Sequence, residues 1–211
     1  MGRINFKTTV FRKIVADNLQ QRRLFIDEAF EIAEQDFIIK RDLLLSDFDN
    51  HDVTRELRDE QEAGGNISGT LNGHGNLFSF LGFYQGTDPT QDVRETLEDN
   101  TRIIKSSRGA KYSKNGITYS FQVVTAAIGG EIAAASPLPF NTGRSWVLAL
   151  ERGASGLNYY IKHYLFDPER DFGVKSRSGT AIQVKPELIS ISFVKIQYLS
   201  EIINKFILRY K

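Results

Sequence analysis

The chain has 211 residues, 41% of them hydrophobic and 25% charged, with a formal net charge of +1. Those values are ordinary for a globular protein, and a net charge near zero excludes a strong attraction of the whole molecule to polyanions. The absence of cysteine excludes disulfides and thiolate metal sites and fits a reducing compartment.

Residues 1–18 are expected to form an N-terminal arm, extended or in a short helix, anchored by Phe6, Val10, Phe11, Ile14 and Val15. Residues 1–24 carry Arg3, Lys7, Arg12, Lys13, Arg22 and Arg23 against Asp17. Met1 to Gln21 lacks the apolar run of a secretory leader. Nowhere does an apolar run approach the roughly 20 residues that span a bilayer, so no membrane partner is expected.

From Leu19 to Phe48 the spacing predicts one long amphipathic helix. Ile26, Phe30, Ala33, Phe37, Leu44 and Phe48 form one apolar row, interrupted by Lys40. Phe25, Ala29, Ile32, Ile39 and Leu43 form a second row beside it. Asp27, Glu31, Glu34 and Asp42 take the opposite face, with Ile38 as its apolar exception. About thirty residues rising about 1.5 Å each give a rod of roughly 45 Å. A compact chain of this length has a radius of gyration of roughly 17 Å. Neighbouring subunits are therefore expected to cover part of the rod.

Asp49-Asn50-His51-Asp52 breaks the helix. Asp52 is expected to N-cap a short helix from Val53 to Glu60, stopped by Gly64-Gly65. Residues 66–86 are glycine-rich, and Leu77 to Tyr84 reads as a buried strand after a turn. Asp88-Pro89-Thr90-Gln91 opens a helix over Asp92 to Asp99, with Val93 and Leu97 facing in. Residues 102–108 and 117–124 pair as a hairpin turned by Asn115-Gly116. There Ile117, Tyr119, Phe121 and Val123 alternate with polar residues. The polar segment Arg108 to Lys114 is its expected protruding tip.

Charge is uneven along this region. Residues 88–100 are acidic and residues 102–114 are basic, a pattern that suits pairing between subunits as well as solvated faces.

Residues 125–140 carry little side-chain bulk and are expected to form a flexible loop or one ordered by a partner. Trp146 to Leu150, Asn158 to Phe166 and Ala181 to Val184 read as strands, with a loop at Phe172 to Gly179. Phe193 to Tyr210 returns to helical spacing. The fold class is α+β: a long N-terminal helix on a mainly antiparallel sheet, with a C-terminal helix and extended arms and loops. Residues 1–211 are expected to form a single domain.

Chemistry-bearing motifs are scarce. His51, His74 and His163 are far apart in sequence, and no zinc-type pair is present. Gly73-His74-Gly75 lacks the third glycine of a dinucleotide fingerprint, and no phosphate-binding GxxxxGK[ST] exists. Gly153-Ala154-Ser155-Gly156 is not a nucleophile elbow. Asp47, Asp49 and Asp52 beside His51 form the one tight acidic cluster, readable as a cation site or as helix termination. No catalytic residue, cofactor or metal is expected. The basic hairpin, with Tyr112 and Tyr119, suits weak phosphate contact rather than sequence reading.

The chain resembles the neck proteins of tailed bacteriophages, of the tail-completion or minor-tail type. The likeness runs through Phe48-Asp-Asn-His51-Asp-Val53-Thr54-Arg-Glu56, Asn66-Ile-Ser68-Gly69-Thr-Leu71 and Gly75-Asn-Leu77-Phe-Ser-Phe80-Leu-Gly82-Phe. It resumes at Arg144-Ser-Trp146, Leu150-Glu151-Arg-Gly153 and Ser176-Arg-Ser178-Gly179, before the closing helix. The resemblance implies a non-enzymatic virion protein of the head-to-tail connector, assembled in the host cytoplasm. It implies a homo-oligomeric ring, a hexamer before a dodecamer, between portal or adaptor and tail proteins. The alternative is a tail terminator or a capsid-associated accessory protein. In such a ring Arg108, Lys111 and Lys114 are the expected channel, DNA or interface contacts, and DNA contact is expected to be non-specific. Ala126, Gly129, Gly130, Ala134 and Pro137 are the expected inter-subunit arm. An enzyme would instead centre on Asp49 and His51.

Overall fold

The structure, a computed structural model, describes residues 2–8, 19–59, 66–73, 76–113, 116–139, 141–152 and 193–210. The strands expected at 158–166 and 181–184, the loop at 172–179, the Gly64-Gly65 stop and Lys114 lie outside them. Within the described residues the fold is α+β, as the order of helical and alternating patterns predicts.

The chain divides into two compact units. Among the described residues, the first takes those up to 45, 98–125 and those from 203; the second takes 46–97 and 126–202.

In the first unit, helix α1 (Leu19–Asp49) buries Ala29, Ala33, Phe37 and Leu44. Strands β1 (Gly2–Thr8), β2 (Arg102–Ser113) and β3 (Gly116–Val124) make an antiparallel sheet in the order β1-β3-β2. Tyr119, Phe121 and Val123 are buried, the alternation that a half-buried strand requires. Phe121 meets Phe30 of α1 edge-on with ring centroids 5.3 Å apart. Lys105 of β2 pairs with Asp27 and sits 5.0 Å from the Phe30 ring. The closing helix, numbered α7 (Tyr198–Leu208), lays Phe206 against Phe37 at 6.4 Å.

The second unit holds the end of α1, helices α2 (Asp52–Arg58), α3 (Leu77–Phe80), most of α4 (Gln91–Asn100), α5 (Glu131–Ala134) and α6 (Trp146–Arg152). It also holds the two-stranded sheet β4 (Pro137–Leu138) and β5 (Asn141–Ser145). Its core centres on Trp146, 1% exposed, which stacks on Tyr198 at 6.1 Å and meets Phe83 edge-on at 6.4 Å. Tyr198 also packs on Phe48 at 5.9 Å.

Several local expectations are corrected. Residues 2–8 of the expected arm are strand β1, paired with β3 of their own chain from Gly2↔Val123 to Thr8↔Ile117. Leu77–Phe80 is a helical turn and not a strand. The Asn76 side chain accepts from Ser79 N at its start, and Gly82, at φ 77°, closes it by donating to Ser79 O. Trp146–Arg152 is likewise a helix, because Ser145 Oγ accepts from Leu148 N at 3.1 Å and caps it. Helix α4, by contrast, matches the expected Asp92 to Asp99 to within a residue at each end. Asp88 accepts from both Thr90 N and Thr90 Oγ1, which holds that turn outside the helix. Strand β2 runs on to Ser113, so Lys111 pairs with Thr118 and is not at the tip, while Arg108 lies in the irregularity between Lys105 and Ala110 where the register shifts.

Candidate interaction surfaces

The covered side of α1 is the first apolar row. Three residues of the second row are exposed. Ile32 is 58% exposed, Ile39 63% and Leu43 46%, while Ala29 of that row is buried. Phe25, Ile32 and Ile39 lie at heptad spacing, with Leu43 four residues on. Ile32, Ile39 and Leu43 thus line one strip of the helix surface instead of being scattered over it. Glu28, Gln35 and Asp42, all exposed, run beside it at the same spacing. On its other side Lys40 is held by Asp36 at 2.7 Å and lies 4.2 Å from the Tyr210 ring. Burial pushes the Tyr210 hydroxyl well above the ordinary phenol range, with Asp36 adding to the rise, so it stays neutral.

The residues expected to form an arm are folded into their own unit. Ala126 is buried, Gly130 precedes α5, Ala134 ends it, and Pro137 opens β4. Ile132, 0% exposed, anchors the segment, and Ser136 Oγ donates to Ile132 O at 2.7 Å. The sequence hides this because the buried side chains are few and spaced without a period (Ala126, Ile132, Ser136 and Leu138). A Cβ added at Gly129 or Gly130 meets its nearest neighbour at 3.6 and 3.5 Å, ordinary contact, so neither position demands glycine for space.

The acidic cluster around His51 is structural on the geometry seen. Asp49 pairs with Arg58 at 2.8 Å and with Arg94 at 3.2 Å, and Arg58 reaches Asp88 at 3.4 Å. The network ties the end of α1 to α2 and to the start of α4. His51, not Asp52, caps α2: its Nδ1 accepts from Val53 N at 3.2 Å. Among the described residues no group of acids and histidines is arranged to hold a metal ion.

That cap requires a neutral imidazole. Burial pushes the His51 pKa below its ordinary 6.5, against the opposing pull of Glu201, Asp52 and Glu151. The unfolded chain therefore binds the proton first as pH falls. Stability from this group is complete above pH 6.5 and declines as pH drops below it toward the folded value. Denaturation midpoints should fall between pH 7.5 and 5.5, with pH values chosen to bracket 6.5. His51→Asn, which caps without titrating, should flatten that part of the profile.

Glu56 is the second residue that sequence reading missed. In a short helix rich in charge it reads as surface, yet it is 0% exposed. Its carboxylate accepts from Leu77 N at 2.6 Å, Ser68 N at 2.9 Å, and Asn66 Nδ2 at 2.9 and 3.1 Å. Asn66 Oδ1 in turn accepts from Leu71 N at 2.7 Å. The glycine-rich loop is thus folded around one buried acid. Thr54, two residues earlier on α2, bonds the Tyr198 hydroxyl at 2.6 Å, and burial raises that hydroxyl far above the ordinary phenol range.

No helix among the described residues is long and apolar enough to cross a membrane. Neither a protein-family model, nor a curated protein, nor a solved structure matches the chain.

Proposed function

We propose that the protein is a structural component of a tailed-phage neck, self-associating into a ring between portal and tail. One observation carries the reading: α1 presents an exposed apolar seam, Ile32, Ile39 and Leu43, on a helix whose other apolar row its own chain covers. Exposed apolar surface arranged at packing periodicity marks a contact with another protein. The likeness of the segments around Phe48, Asn66, Leu77 and Trp146 to neck proteins supplies the class. The charge network at Asp49, the His51 cap and the bonding of Glu56 fit side chains that hold a scaffold, so no catalytic role is assigned to them.

Location tests the function directly. Antibodies raised against the chain should label intact particles at the head-to-tail junction. Labelling of the shell or of the tail tip contradicts the assignment.

A further inference from the structure

The loop folded around Glu56 ends in one exposed turn. Leu71, 0% exposed, is the last buried residue before it: Leu71 N donates to Asn66 Oδ1 at 2.7 Å, and Thr70 O accepts from Val194 N at 2.8 Å. Asn72 and Gly73 follow, both exposed, at φ 52° and 80°. Among the described residues Asn72 is the one non-glycine residue at positive φ. Asparagine and glycine take left-handed positions most readily, so the turn selects this pair. The chain is held again at Leu77, whose N–H donates to Glu56 Oε1 at 2.6 Å. The turn thus lies between two fixed points tied to one carboxylate, the first through Asn66.

The same pair is chemically labile. The side-chain amide carbon of an asparagine can close a small ring with the backbone nitrogen of the next residue. A side chain on that next residue obstructs the approach, and glycine has none. A Cβ built at Gly73 meets nothing within 4 Å among the described residues, so the position is open to water. The other two asparagines of the loop lack these conditions. Asn66 Nδ2 donates to Glu56, Ser68 and Thr70, and the branched Ile67 follows it. Asn76, 3% exposed, accepts from Ser79 N and is followed by Leu77.

We propose that Asn72 is a site of spontaneous modification, at which the ageing chain converts asparagine to isoaspartate and aspartate. Gly73 N gives up its proton to water and attacks Asn72 Cγ. The Cγ–Nδ2 bond breaks, ammonia leaves, and a cyclic imide joins the two residues. Water then opens the imide. Cleavage between Gly73 N and Cγ gives aspartate with the original main chain. Cleavage between Gly73 N and the main-chain carbonyl carbon gives isoaspartate, whose main chain runs through Cβ and Cγ. Water is the only co-reactant, and nothing is oxidised or reduced. Isoaspartate adds one atom to the main chain between the two points tied to Glu56. The added length strains the bonds at one of them, so age loosens the second unit at its buried acid.

The test incubates the full chain at pH 7 and at pH 9 and follows it by tryptic peptide mapping, with fragmentation that separates isoaspartate from aspartate. One peptide, Asp59 to Arg94, holds Asn66, Asn72 and Asn76, so each is a reference for the others. Asn72 should convert at least about tenfold faster than Asn66 or Asn76, which react only after local opening. Conversion should be faster at pH 9, where the backbone nitrogen loses its proton more readily. The denaturation midpoint should fall as isoaspartate accumulates. Asn72→Gly keeps the left-handed backbone and removes the amide, so its midpoint should hold through the same incubation. If that variant fails to fold, ion exchange separates converted from unconverted native chain by the added charge, and the two fractions are compared. An unchanged Asn72 overturns the proposal, as does conversion of all three asparagines at one rate, which marks general unfolding. A converted Asn72 with an unchanged midpoint overturns the link to Glu56. So does an equal fall in Asn72→Gly, which retains Asn115-Gly116 and would place the damage there or elsewhere.

Discussion

Glu56→Ala should unfold the second unit at markedly lower denaturant, a loss of about 3 kcal/mol or more. The substitution leaves Leu77 N, which is fully buried, and Ser68 N, which is part-buried, without their acceptor. Each orphaned buried donor costs about 1–3 kcal/mol, and removal of the buried charge returns part of that. The Asn66 amide loses less, because Ser68 Oγ and Thr70 Oγ1 already accept from it at 3.0 Å. Glu56→Gln is the sharper variant. It keeps volume but offers one oxygen where two accept, and turns an N–H toward an existing donor. It should cost nearly as much as alanine. A glutamine variant as stable as the native chain contradicts the view that this acid organises the loop. Domains of this size are stable by only about 5–15 kcal/mol, so the alanine effect is a large fraction of the total.

Ile32→Glu combined with Ile39→Glu should abolish self-association while leaving the isolated subunit at least as soluble and as stable. Both residues are more than half exposed in the single chain, so charge there replaces apolar surface that water already meets. In an assembled seam the same charges would be buried opposite apolar side chains. Truncating a central interface residue costs about 2 kcal/mol or more, so two charged replacements should weaken association by at least about a thousandfold. The flanking charges also restrict the geometry. Glu28 and Asp42 lie symmetrically about Gln35, so an antiparallel pair of α1 helices sets acid against acid. A parallel pair does the same, Glu28 to Glu28. A head-to-tail contact with a different surface, apolar where it meets the seam, avoids both clashes, and head-to-tail contacts are the ones that close into rings.

The sequence was most informative where period was longest. Thirty residues of α1 leave no doubt about its row of buried positions, and Tyr119, Phe121 and Val123 declare a strand by strict alternation. Short apolar runs misled. Leu77–Phe80 and Trp146–Arg152 are buried from several sides, so hydropathy has no period there, and single capping residues, Asn76 and Ser145, decide for helix. Arg3, Asn5 and Lys7 alternate with Ile4 and Phe6, a strand period that an extended arm shares. Which strand β1 joins was not available, because pairing depends on tertiary context. The Glu56 site was illegible for the same reason: its three partners come from 10 to 21 residues away.

Self-association is the property on which the neck assignment depends. Native mass spectrometry of the unmodified chain, alone and with tailed-phage portal and tail proteins, measures it most directly. A closed ring, six copies first, should be present for the native sequence and absent for the double seam variant. A species of single-chain mass under every condition, with Ile32 and Ile39 still open to solvent, would contradict the account.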